Sequence, residues 1–113
     1  MKIAIPSTAD GWNENIDDRF GRGKGFFVCD TDNTETTYID NQENVDVGHG
    51  AGTSSAQSLV DAGIEVVISG KIGPKAGSVL KAGGVKVYLC GNAQTVKDAY
   101  ELFKNGELQE ASD

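Results

Sequence analysis

Hydrophobic residues occur along this chain in short runs that glycine, proline and polar residues separate. Lys2 to Pro6 is a predicted strand, and Gly25 to Asp30 is apolar almost throughout, as in a strand that is buried on both faces. Glu35 to Asp40 is rich in β-forming residues but more polar, which favours an edge strand that forms a hairpin with its predecessor. The first part of the chain is therefore predicted to be a three-stranded meander.

In the second half of the chain, helical patterns alternate with strands. The predicted elements are a helix at about 54–62, a strand at 64–69, a helix that begins at 73–74, a strand at 85–90 and a helix that begins at 95–98. Strand-helix-strand connections are right-handed and place their strands in parallel. The chain is therefore predicted to be an α/β protein with a five-stranded mixed sheet, three helices and helices on both faces.

The strand directions of this topology place five loops on one edge of the sheet. If the first strand points up, the third, fourth and fifth also point up, and every helix runs down. The loops on the upper edge are then those that begin at Ser7 and those at 20–23, 48–52, 69–75 and 90–95. Open α/β sheets bind ligands along the edge where the parallel strands end. We therefore expect a binding site there.

The glycine-rich segment 46–55 is the strongest candidate for that site, because it carries the one histidine of the chain, His49. Gly48, Gly50 and Gly52 allow a bound group to approach the backbone, and Thr53 to Ser55 are candidate N-cap residues of the next helix. The N-terminus of a helix attracts anions. The alternative interpretation is a turn that does no more than cap a helix.

Cationic side chains reinforce the expectation of an anion site. Arg19, Arg22 and Lys75 belong to loops of this edge, and Gly73 precedes a predicted helix. A second interpretation of the arginine loop is a turn in which Asp17, Asp18 and Arg19 are solvated. A closed zinc site needs about four nitrogen or sulfur ligands, which these loops do not supply. An anionic cluster could use His49 as its one metal ligand while amides and arginines contact its sulfide or oxygen atoms.

The length, charge and cysteine content of the chain narrow the possible classes of function further. A chain of 113 residues is expected to form one domain, here residues 1–108, followed by a polar acidic tail at 109–113. The net charge of −7 opposes binding of nucleic acid, and no apolar run is long enough to span a membrane. Cys29 and Cys90 are too far apart in sequence for a C-x-x-C motif, which indicates reduced thiols and a cytoplasmic protein.

Four motifs in order resemble the dinitrogenase iron-molybdenum cofactor biosynthesis family: Phe20-Gly21-Arg22, His49-Gly50-Ala51-Gly52, Ile72-Gly73-Pro74-Lys75-Ala76, and Val85-Lys86-Val87-Tyr88 with 95–99. The resemblance implies a ribonuclease H-like, three-layer α/β/α fold. It implies noncovalent binding or carriage of an iron-sulfur or molybdenum-containing cluster in nitrogenase cofactor assembly, hence in nitrogen fixation. It also implies a metallocluster donor or acceptor protein as partner, and His49 as the family's histidine.

Two other functions are weighed against cluster binding. The first is a small-anion or protein-interaction module that uses the same edge without a metal cluster. The second is a metal-dependent nuclease, which needs several carboxylates at the centre of the sheet. Lys2 to Pro6 carries no carboxylate, so we expect a binding protein rather than an enzyme.

Overall fold

The computed structural model describes residues 1–17, 20, 23–41, 51–70 and 72–111. Within them the elements are β1 (Lys2–Ser7), β2 (Gly25–Asp30), β3 (Thr36–Asp40), α1 (Ala51–Asp61), β4 (Val66–Ser69), α2 (Pro74–Ala82), β5 (Lys86–Leu89) and α3 (Val96–Lys104). Among these residues, no helix has the length and apolar character that a membrane crossing requires. The observed order of strands and helices confirms the predicted α/β class.

The five strands form one sheet in the order β3-β2-β1-β4-β5. β2 is antiparallel to both β1 and β3, whereas β1 and β4, and β4 and β5, are parallel pairs. The sheet is therefore mixed, as predicted, and the polar strand β3 lies at an edge. The carboxyl ends of β1, β3, β4 and β5 share one edge, which we call the carboxyl edge.

Side chains that alternate along the strands build two apolar clusters, one on each face of the sheet. In β1, Ala4 packs beneath α1 and α2, whereas Ile3 and Ile5 pack with α3. Leu59 of α1 and Leu80 of α2 are fully buried in the first cluster. The helices therefore cover both faces of the sheet, which confirms the three-layer α/β/α arrangement that the family resemblance implied.

The boundaries of α2 and α3 follow the signals in the sequence. Gly73 is the N-cap residue of α2, Pro74 occupies its first position, and Gly84 after its end has φ +81°. At the start of α3 the Thr95 hydroxyl accepts a hydrogen bond from the Asp98 amide at 3.2 Å. Glycine, proline and threonine act at these positions through backbone geometry, so they predict helix ends without knowledge of the rest of the fold.

The start of α1 differs from the prediction. The helix begins at Ala51, not at Ser54, so Gly52 belongs to its first turn and Thr53 to Ser55 are not N-caps. Ser55 is instead fully buried, and its hydroxyl donates to Asn41 Oδ1 at 2.7 Å. Burial of Ala56 and Leu59 on the same helix face compensates for the weak helix propensity of glycine and serine.

The C-terminal segment also differs from the prediction. Residues 109–111, which were predicted to belong to a polar acidic tail after the domain, pair with β5. The Leu89 amide donates to the Gln109 carbonyl at 2.9 Å, and the Ala111 amide donates to the Val87 carbonyl at 2.8 Å. Leu108 packs against the α3-side cluster. An edge strand with exposed polar side chains has the composition of a tail, so charge alone could not reveal this pairing.

Candidate anion site at the carboxyl edge

The sheet has a topological switch point between β1 and β4, where the chain changes the side of the sheet on which it adds the next strand. From β1 it passes to β2 on one side of the sheet, and from β4 it passes through α2 to β5 on the other side. The register pairs Ala4 with Val67, and its continuation places Ser69 beside Pro6, next to Ser7 at the end of β1. Such a switch point leaves a crevice outside the carboxyl ends of the strands, where open α/β sheets bind ligands.

The three helices that the structure describes begin at the carboxyl edge, but their N-termini differ. The first amides of α3 are occupied: Val96 donates to the Glu14 carbonyl at 3.0 Å, Lys97 donates to the Trp12 carbonyl at 2.8 Å, and Asp98 donates to Thr95. The first turn of α3 also contains the acidic residue Asp98. The N-terminus of α3 is therefore satisfied by its own chain.

The N-terminus of α2 is open by comparison. No side chain caps it at Gly73, and its first turn has no acidic residue. The first hydrogen bond of the helix runs from the Gly77 amide to the Gly73 carbonyl at 3.0 Å, so the amides of Lys75 and Ala76 precede it. Within the described residues, neither amide has an acceptor. α1, on the same face of the sheet, also has no acidic residue in its first turn. The positive ends of α1 and α2 therefore lie on one face at this edge, and neither helix has an acidic residue in its first turn.

Ser69, at the carboxyl end of β4, has a buried hydroxyl that lacks a hydrogen-bond partner in the described part of the chain. Ser69 as a whole residue is 0% exposed to solvent. Since Val67 packs beneath α1 and α2, strand alternation places the Ser69 side chain on that same face. Ser69 belongs to 69–75, one of the loops predicted for this edge, but it was not predicted as a site residue.

Asn41 holds the end of β3 against two other segments. It is 1% exposed, its Nδ2 donates to the Gly23 carbonyl at 3.1 Å, and its Oδ1 accepts from the Ser55 hydroxyl at 2.7 Å. Its backbone amide donates to the Lys24 carbonyl at 2.9 Å. Asn41 therefore joins β3, the segment before β2 and α1 at the carboxyl edge, a role that the sequence analysis missed.

Replacement of Asn41 by alanine is expected to lower the free energy of unfolding by about 2 to 4 kcal/mol, because it leaves the Ser55 hydroxyl and the Gly23 carbonyl without partners. Asn33→Ala is the matched control, since Asn33 Oδ1 accepts from the Glu35 amide in an exposed turn. The control is expected to cost less than about 1 kcal/mol. Denaturant unfolding measures both values, and equal losses would contradict the role of Asn41.

Asp17 and Phe20, the described neighbours in sequence of Arg19 and Arg22, lie near the carboxyl end of β1. Phe20 is 5% exposed, and its ring centroid lies 5.3 Å from that of Phe26, which pairs with Pro6 near the end of β1. Asp17 is 4% exposed, so the interpretation of Asp17 as a solvated turn residue is wrong. Its amide donates to the Pro6 carbonyl at 2.9 Å, which draws the loop back to β1.

Of the residues predicted for the site, the structure describes three. Gly73 caps α2, Lys75 is exposed in the first turn of α2, and the backbone of Gly52 belongs to the first turn of α1. The other predicted residues lie outside the described residues: Arg19, Arg22, Gly48, His49 and Gly50. Asn41 and Ala51 precede and follow residues 42–50, which include His49, and both lie at the carboxyl edge.

Neither Cys29 nor Cys90 forms a disulfide. Cys29 is buried in β2, where it pairs with Ile3 at the amino end of β1, away from the carboxyl edge. Burial, with a smaller contribution from Asp30, raises the pKa of the Cys29 thiol to about 11, which disfavours the thiolate that a metal requires. Over the ranges that the structure describes, no three histidine, cysteine, aspartate or glutamate side chains form a group that could hold a metal ion.

A groove of about 630 Å³ is lined by Val85, Val87 and Leu89, in and next to β5, and by residues of α2 and the C-terminal segment. Gly70 and Gly73 of the connection between β4 and α2 also line it, whereas Ser69 and Asn41 do not. The groove therefore reaches the N-terminus of α2 but does not include the buried Ser69 and Asn41 side chains.

Comparison with known proteins places this geometry in a family. A structure of the apo form of the orange protein from Desulfovibrio gigas has a TM-score of 0.93 and 36% identity, over 98% of this chain and 92% of that chain. A Thermotoga protein proposed to be NifB has a TM-score of 0.83 and 36% identity, over 96% and 91% of the two chains. An uncharacterised protein of Methanocaldococcus jannaschii is 34% identical over 96% of this chain and 90% of its own length. The family model of the dinitrogenase iron-molybdenum cofactor family matches residues 1–106, and the chain belongs to that family.

Proposed function

We propose that this protein binds an anionic metal-sulfur cluster noncovalently at the carboxyl edge and carries it in metallocofactor assembly. The observation that carries the proposal is the open N-terminus of α2 beside the switch point, since α3 at the same edge is satisfied by its own chain. Amides that lack an acceptor and carry partial positive charge suit an anion.

The residues present fit such a cargo. The site offers four hydrogen-bond donor groups: the amides of Lys75 and Ala76, the Lys75 side chain, and the Ser69 hydroxyl, which has no partner among the described residues. His49 would ligate a metal of the cluster, and Arg19 and Arg22 would balance its charge. Sulfide or oxygen atoms on the surface of a cluster accept the remaining hydrogen bonds. A site with one metal ligand and many hydrogen-bond donors suits a preformed iron- or molybdenum-containing cluster better than it suits a bare metal ion.

The family and the similar structures support this role. The matched family is that of the dinitrogenase iron-molybdenum cofactor, one similar structure is of an apo form, and another belongs to a protein proposed to be NifB. We propose that the chain acts as a carrier rather than as an enzyme, and that its partner is a protein that donates or accepts the cluster. Cysteines that form no disulfide suit a reducing compartment such as the cytoplasm.

Calorimetry with tetrathiomolybdate, molybdate and nucleotides separates this proposal from a general small-anion module. The expected result is binding of tetrathiomolybdate in preference to nucleoside triphosphates, because the glycine-rich segment Gly48 to Gly52 lacks the lysine of a nucleotide-binding loop. Preferential binding of nucleotides would overturn cluster carriage in favour of a small-anion module. No binding of any of the three would count against an anion site at this edge.

A further inference from the structure

Ser55 and Ser69 are two fully buried serines on the α1/α2 side of the fold, and they differ in one respect. The Ser55 hydroxyl donates to Asn41 Oδ1 at 2.7 Å, whereas the Ser69 hydroxyl has no hydrogen-bond partner within the described residues. A buried hydroxyl without a partner costs free energy, so native proteins rarely retain one. The position of Ser69 therefore calls for an explanation other than packing.

The surroundings of Ser69 point to an anion as its partner. Ser69 ends β4 at the switch point, level with Pro6 of β1, and its side chain lies on the face that α1 and α2 cover. Four residues later, Gly73 is the N-cap residue of α2, whose first amides have no acceptor among the described residues. The hydroxyl donor and the helix amides therefore flank one strand-to-helix connection at the carboxyl edge.

We infer that the Ser69 hydroxyl donates a hydrogen bond to the anion that the N-terminus of α2 holds, so that Ser69 is a binding and specificity-determining residue of this edge. The inference rests on the proposed function and adds to it the residue that contacts a terminal oxygen or sulfide atom of the cargo. A hydroxyl donor there favours a ligand that presents a hydrogen-bond acceptor, and it disfavours one that is fully capped by apolar groups.

The test compares Ser69→Ala with the matched control Ser55→Ala, using tetrathiomolybdate as the probe. Without the probe, Ser69→Ala is expected to melt at or above the temperature of the parent, since it removes a hydroxyl that has no partner. Ser55→Ala is expected to melt lower, since it leaves Asn41 Oδ1 without that donor. With the probe, Ser69→Ala is expected to bind about tenfold or more weakly, the loss of one hydrogen bond to a charged group.

Two results would overturn the inference. Unchanged affinity of Ser69→Ala would show that the anion does not contact the hydroxyl, and a drop in melting temperature without the probe equal to that of Ser55→Ala would show a structural role. His49→Ala distinguishes this failure from that of the proposed function. Loss of binding in His49→Ala with full binding in Ser69→Ala refutes only the role of Ser69, whereas absence of binding in the parent refutes the proposed function.

Discussion

Replacement of His49 by alanine is expected to weaken retention of the metal-sulfur cluster more than any other single change. His49 is the one histidine in the sequence, and in the proposal it supplies the one metal ligand from a side chain. Loss of a residue that only supports a metal ligand typically costs 10- to 100-fold in affinity, so loss of the ligand itself is expected to cost about 100-fold or more. Metal and sulfide analysis after reconstitution and desalting measures the effect.

The exposed residue Gln57, in α1, provides the control for this experiment. Gln57→Ala is expected to retain as much cluster as the parent, and the melting temperature and circular dichroism of His49→Ala are expected to match the parent's. Equal cluster content in the parent and in a folded His49→Ala variant would contradict the ligand role.

Introduction of an acidic residue at the N-cap of α2 is expected to stabilise the protein and impair binding at once. Gly73 has φ −65° and ψ 157°, which any residue adopts, and a Cβ atom added there has no neighbour within 4 Å. In Gly73→Asp the carboxylate can accept from the amides of Lys75 or Ala76 and interact with the helix dipole. We expect a gain of about 0.5 to 1 kcal/mol in the free energy of unfolding.

The same carboxylate would occupy the donors that the anion needs. Affinity for tetrathiomolybdate is expected to fall about 10- to 100-fold, as for the loss of a hydrogen bond to a charged group. Asn105→Asp adds the same charge at the C-cap of α3, at the opposite edge of the sheet, and is expected to leave affinity unchanged. An unaltered affinity of Gly73→Asp would place the anion away from α2, and an equal loss in both variants would indicate long-range repulsion alone.

Local chemistry explains why much of the fold could be predicted from the sequence. The bounds of β2, Gly25 to Asp30, were predicted to the residue, because an apolar run between turn residues has few alternatives. Proline at 74 and threonine at 95 fixed the starts of α2 and α3 for reasons that lie within a few residues. Strand direction then followed from the right-handed connection rule, which placed the loops on one edge.

The predictions that failed depended on contacts between distant segments. Ser55, a predicted N-cap candidate of α1, instead donates to Asn41 of another segment. The pairing of Gln109 to Ala111 with β5 depends on an edge that only the folded sheet presents. In the site, Asn41 and Ser69 carry no motif in the sequence. Ser69 could have been found as a polar residue that ends a buried strand, but the missing partner of its hydroxyl is visible only in three dimensions.

The metal and sulfide content of the protein purified anaerobically from its native host, with its visible absorption spectrum, tests the central claim most directly. We predict iron or molybdenum together with inorganic sulfide, and a visible absorption that disappears on mild denaturation, because the cluster is held noncovalently. Protein that is purified in this way without metal, sulfide or visible absorption would contradict the claim that the carboxyl edge carries a metal-sulfur cluster.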